Sequence, residues 1–212
     1  MQLKFLPSFV KRKGRITKRQ ESGLDELKNF CINSIENIKS ERENFSECHL
    51  EIGFGNAENL CSVAKFNPEF LFIGCEVYAS GIGSLLATIK EDNIKNIRVF
   101  NQDIRILLDN NPEEIFDKVI IICPDPWPKD RHHKRRLINE EFLQMLNKTM
   151  KHGGILYIST DWEHYAESIK ESLEKSDYFS NSKIEKKLTF SKFENRGKEE
   201  GREIFEFRYI KG

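Results

Sequence analysis

The chain has 212 residues, 38% of them hydrophobic and 32% charged, which suits one domain with a substantial core. Lys plus Arg and Asp plus Glu each number 34, and the formal net charge of zero argues against a general polyanion binder. No apolar run approaches the roughly 18 residues that span a bilayer. The N-terminal charges follow a short apolar patch, the reverse of a secretory signal. The five cysteines are scattered without a C-x-x-C pair, and so read as reduced, buried thiols of a cytoplasmic protein.

Residues 1–20 hold seven Lys or Arg and no Asp or Glu, and lack periodicity. They predict a mobile basic arm ahead of a single domain over 21–212. From Ser22, the positions Leu24, Leu27, Cys31, Ile35 and Ile38 fall at helical spacing and predict an amphipathic helix to about Lys39. Apolar runs at 49–53, 70–76, 97–100, 117–123 and 154–160 then alternate with helical patterns at 57–66, 79–92, 103–110, 139–151 and 162–175. Such βα alternation implies an α/β fold, a Rossmann-like, mostly parallel sheet with helices on both faces. Segments 183–190 and 203–210 read as two further strands, an antiparallel C-terminal pair at one sheet edge.

In such sheets the ligand sits outside the carboxyl ends of the strands, near the switch in strand order. Gly53 and Gly55, in LEIGFGNAEN, allow a tight turn and close backbone approach. The dinucleotide fingerprint needs a third small residue where this chain has Glu58, and a pyrophosphate would be poorly served by Glu51. Both count against an NAD-dependent oxidoreductase. Glu51, Glu76 and Asp103 each stand at the end of a successive strand, so they are expected to converge on one crevice. S-adenosylmethionine (SAM) carries a sulfonium and an ammonium and no phosphate. Glu76 suits its ribose hydroxyls, Asp103 its adenine amine, and Glu51 the methionine end.

The fourth strand delivers CPDPWPKDRHHKRR, residues 123–136, to the same edge. Prolines stiffen the loop and predict Asp125 and Trp127 as extended. A carboxylate at Asp125 could accept from guanine N1–H and N2–H2, while Trp127 either stacks or packs the loop. The block Arg131, His132, His133, Lys134, Arg135 and Arg136 would face an RNA backbone, where each neutralised phosphate releases counterions. The histidine pair lacks an acidic or cysteine partner at ligand spacing, and no metal is expected.

The segments LEIGFG, FIGCEV, NQDIRILL, PDPWPKDRHHKRR, TDWEHYAESI and SKFENRG resemble, in this order, the bacterial tRNA (guanine-N7-)-methyltransferases. The resemblance covers most of the chain from about Gly14 onward. It implies a class I SAM-dependent methyltransferase that modifies guanine 46 in the tRNA variable loop. It further implies SAM-pocket roles for Glu51, Glu76, Asp103 and Asp125, with Asp125 also catalytic. Lys129, Asp161 and Ser191, Lys192, Phe193 and Glu194 match substrate-binding positions, and Arg131 to Arg136 the RNA contact. Two departures stand out: SKFE replaces the usual TKFE, and Ala57 stands where many relatives have a further glycine. Rival readings are methylation of an exocyclic amine or a protein side chain, disfavoured because PDPW lacks the [DN]PP[YF] double proline, and a non-catalytic RNA-binding protein. Monomer and homodimer both remain open.

Overall fold

A computed structural model describes residues 4–10, 14–109, 111–182 and 201–212. Among these residues, seven strands form one sheet: β1 (Glu47–Ile52), β2 (Phe70–Cys75), β3 (Ile97–Phe100), β4 (Phe116–Ile122), β5 (Met150–Thr160), β6 (Phe179–Asn181) and β7 (Phe205–Lys211), in the order β3-β2-β1-β4-β5-β7-β6. The first five pair in parallel, and β7 runs antiparallel to both β5 and β6. The order reverses between β1 and β4, so the loops that leave Ile52 and Ile122 flank the switch.

Among the described residues, two large hydrophobic clusters cover the sheet, with a small third at Ile120, Ile122 and Tyr157. On one face α4 (Glu58–Phe66) and α5 (Ala79–Glu91) bury Leu60, Ala64, Leu85 and Leu86 against Phe72, Ile97 and Val99. On the other, α6 (Ile104–Leu108), α7 (Glu140–Thr149) and α8 (Glu163–Glu174) pack Leu107, Phe142, Leu146, Tyr165 and Ile169 on Leu50, Ile73, Val119 and Ile158. Alternate residues of a strand point to opposite faces, which is why the buried parallel strands read as continuous apolar runs. All five cysteines are free, and burial pushes Cys48 and Cys61 up to about 12, so these thiols stay protonated at neutral pH.

The predicted helix from Ser22 to about Lys39 is instead three short ones: α1 (Lys18–Leu24), α2 (Leu27–Phe30) and α3 (Ile35–Arg42). Cys31 bridges Val99 in parallel and Ile32 donates its N–H to the Val99 carbonyl, so the backbone here satisfies the exposed edge of β3. Ser34 then caps α3 through the Asn37 N–H. Thr17 and Gln20 form a capping box that starts α1 at Lys18, across the boundary expected at residue 20. Of the two predicted C-terminal strands, 203–210 corresponds to β7, and 183–190 lies outside the described residues. Among the described residues, β7 pairs at the edge with the three-residue β6, too short for its period to show.

Candidate active site

The loop after β1 turns on Gly53 and Gly55, whose φ values of 76° and 56° are left-handed. A Cβ on Gly81 would strike the Gly55 carbonyl, so α5 packs directly on this turn. Glu76 ties the turn to the end of β2. Its Oε2 accepts from the Gly55 N–H at 3.0 Å, and its Oε1 accepts from Val77 and Tyr78 N–H at 2.7 and 3.1 Å. Burial raises the Glu76 carboxyl above its ordinary range, and these three donors pull the other way. Ala57 also sits at φ 64°, fully buried, in the conformation that favours glycine.

Asp103 caps α6 through the Arg105 N–H and pairs with the Arg105 guanidinium at 3.0 and 2.6 Å. Gly53, Gly55, Glu76, Asp103 and Asp125 line one cavity of about 250 Å³ at the carboxyl edge. Its other walls include Ile104, Cys123, Leu137 and, from the N-terminal residues, Ser8 and Phe9. Glu51 does not line it: the side chain is buried behind the turn, where Oε2 accepts from Asn59 at 3.1 Å.

A second cavity, about 470 Å³, opens beside the first and is lined by Val10, Tyr78, Trp127, Lys129 and His132. Asp125 and Tyr78 line both. The loop between them is strained at two residues that precede prolines, Cys123 and Trp127, each at φ 47°. Trp127 is therefore left-handed and not extended. Its surroundings hold it there: the Arg135 guanidinium lies 4.9 Å over the ring, His132 meets it edge-on, and its Nε1–H donates to the Ser8 carbonyl at 2.9 Å.

The basic block forms a 3₁₀ turn, Asp130–Arg135. Arg131 and Lys134 are exposed on it. His133 packs on His164 at 4.8 Å, and burial together with four neighbouring cations lowers the His132 pKa. Arg136 differs from the rest of the block. It is 5% exposed, with Nε donating to the Pro126 carbonyl at 2.9 Å and both terminal nitrogens 3.2 Å from His164 Nδ1. The guanidinium lies 4.8 Å over the Tyr165 ring. With its nitrogens turned to Pro126 and His164, this cation is poorly placed to meet a phosphate. Asp161, after β5, pairs with Arg202 ahead of β7. Ser191, Lys192, Phe193 and Glu194 lie outside the described residues.

Residues 46–207 match the family model described as "Putative methyltransferase". A tRNA (guanine-N(7)-)-methyltransferase of Nitrosococcus oceani is 40% identical over 96% of this chain and 90% of its own length. One of the same name from Legionella pneumophila strain Paris is 38% identical over 97% and 93%. The chain belongs to the tRNA (guanine-N7-)-methyltransferase family. Among solved structures, the 16S rRNA methyltransferase KamB superposes with a TM-score of 0.60 at 11% identity over 85% of this chain and 95% of that one. The A1408 methyltransferase UncKam gives 0.57 at 18% over 85% and 95%. At that identity the likeness shows the fold of class I methyltransferases alone. Within the family's chain, the walls that sequence reasoning missed are Ser8, Phe9, Val10, Tyr78 and Leu137. An aromatic residue two positions after Glu76, and apolar residues embedded in the basic arm, were the available signals.

Proposed function

We propose that this chain transfers a methyl group from SAM to N7 of guanine 46 in the tRNA variable loop, and does so in the cytoplasm. The observation that carries the reading is that Asp125 lines both cavities at the switch point, one edged by acids and glycines and the other by aromatic and basic side chains. The first cavity fits SAM. Its carboxylates match a cation, and α4, whose N-terminus follows the glycine turn, opens with Glu58, which repels a phosphate there. When bound, SAM supplies an electrophilic methyl on a sulfonium.

Glu76 has its oxygens aimed by three backbone donors, and the one lone pair that remains, on Oε2, suits a ribose hydroxyl. Asp103, held by Arg105, keeps a fixed position at the adenine end. Glu51, behind the turn, supports it through Asn59 and α4. Guanine N7 has an in-plane lone pair and no proton, so the chain needs no general base. Its work is positioning, which can lower a barrier by roughly 7–11 kcal/mol when reactants are well oriented. Asp125 orients the base through N1–H and N2–H2 and favours the positive charge that grows on the ring. Lys129, in the second cavity, binds a base oxygen or phosphate, and Asp161 and Ser191–Glu194 complete the substrate site. Arg131, His132, His133, Lys134 and Arg135 meet the RNA backbone, with Arg136 behind them as the anchor of the loop.

Replacing Asp125 with Asn tests this assignment. Turnover is expected to fall by roughly 100-fold or more while tRNA retention stays near wild type, a loss comparable to that of one transition-state-stabilising group. Methylation by the variant at the wild-type rate would remove Asp125 from the reaction.

A further inference from the structure

Residues 4–10 run past the first cavity, where Ser8 and Phe9 form part of the wall, and their attachment is regular. The carbonyls of alternate residues Leu6, Ser8 and Val10 each accept one side-chain donor from the domain. Arg105 Nη2 donates to Leu6 at 2.9 Å, Trp127 Nε1 to Ser8 at 2.9 Å, and the Tyr78 hydroxyl to Val10 at 2.8 Å. Every one of these donors stands two residues beyond a proposed cofactor-site acid: Tyr78 after Glu76, Arg105 after Asp103, Trp127 after Asp125. The segment is thereby fastened to three different strand-end loops, each carrying one of those acids.

The far end is fixed as well. Phe5 is 8% exposed beneath the Arg105 guanidinium, 5.0 Å from its ring, and Lys4 pairs with Asp109 at 2.8 Å. Between these anchors Ser8 and Phe9 form part of the first cavity's lining and Val10 part of the second. Surface packing of a terminal segment needs no such placement, since termini are poorly ordered unless tied down.

We infer that Lys4–Val10 is a strap that completes the SAM site, with Phe9 as a positioning residue on its wall and the three anchors retaining the cofactor. The inference rests on the reading of the first cavity as the SAM pocket. Without the strap that cavity is open on one side, and the bound sulfonium compound would exchange with solvent directly. Because Arg105 spans Asp103 and Leu6, and Trp127 belongs to the Asp125 loop, ordering of the cofactor loops and seating of the strap are the same event.

The test uses the full chain and SAM alone, with no RNA. Calorimetry and release of labelled SAM give the affinity and dissociation rate for the wild type, Phe9→Ala and Tyr78→Phe, with melting curves alongside. In addition, hydrogen exchange of residues 4–10 is followed in the unaltered chain with and without SAM. The strap predicts at least roughly tenfold faster release from Phe9→Ala, a smaller rise from Tyr78→Phe, unchanged melting, and slower exchange of 4–10 when SAM is bound. Wild-type release from both variants, with exchange indifferent to SAM, would overturn it. So would tighter binding by the variants, which would make the segment a plug. If the wild type itself bound no SAM, the pocket assignment would fall, and the strap's role with it. Should Phe9→Ala fail to fold, the exchange measurement on the unaltered chain decides.

Discussion

Arg136→Met separates a loop anchor from an RNA contact. Methionine keeps much of the apolar bulk over Tyr165 but removes the donors to the Pro126 carbonyl and to His164. A hydrogen bond to a charged group is worth about 1.5–3 kcal/mol, whereas relief of a buried cation's desolvation returns a similar amount. Net stability should therefore shift by less than about 2 kcal/mol. The loop is affected more, because Pro126 is the residue next to Asp125 and Trp127 beyond it is held at a strained φ of 47°. If the lost bond is spent on holding that geometry, 1.5–3 kcal/mol corresponds to a drop of roughly 10- to 150-fold in the methyl-transfer rate. Single-turnover kinetics on a tRNA transcript, with tRNA affinity measured across a salt series, gives both quantities. The expected result is a slower chemical step with an unchanged salt slope. A wild-type single-turnover rate, with weaker binding and a slope reduced by roughly 0.7–0.9, would make Arg136 a phosphate contact and not a loop anchor.

The converse holds for Arg131→Ala with Lys134→Ala, both exposed on the 3₁₀ turn. That pair should weaken tRNA binding and reduce the salt slope by about 1.5, with the saturated single-turnover rate nearly unchanged. Ala57→Gly should stabilise the protein by about 0.5–1 kcal/mol, since relief of a left-handed conformation outweighs the added chain entropy of glycine; a lower melting temperature would count against that account. His49 is buried between Phe70 and Phe72, and burial depresses its pKa. The unfolded chain then binds the extra proton first, so stability is lost as pH falls below about 6.5, towards the depressed folded value. His49→Leu should flatten the fall in melting temperature between pH 7 and pH 5, and an unaltered pH profile would exclude His49 as a source of it.

The strands from β1 to β5 were legible because buried parallel strands are apolar throughout, and Glu76, Asp103 and Asp125 because a βα repeat brings every strand end to one edge. The three-way break between Lys18 and Arg42 was hidden for a tertiary reason. Leu24, Leu27, Cys31, Ile35 and Ile38 do keep a helical period, but the edge of β3 draws Cys31 and Ile32 into pairing, and Ser34 restarts the helix. The T-K-R-Q capping box at 17–20 was a local signal that periodicity alone passes over. Arg136 shows the limit of reading charge along a chain: next to five other basic or histidine residues, its burial depends on Pro126 and His164, which only the fold brings to it. Trp127 is similar, since local proline sterics predict an extended residue and contacts from Arg135, His132 and Ser8 hold another conformation.

Nucleoside analysis decides whether this chain methylates guanine N7 in tRNA. The purified protein would be incubated with methyl-labelled SAM and an unmodified tRNA transcript, and the RNA digested and examined by mass spectrometry. The prediction is labelled 7-methylguanosine that disappears when guanine 46 is changed to adenine. Label in a different nucleoside, or label that survives this change, would contradict it.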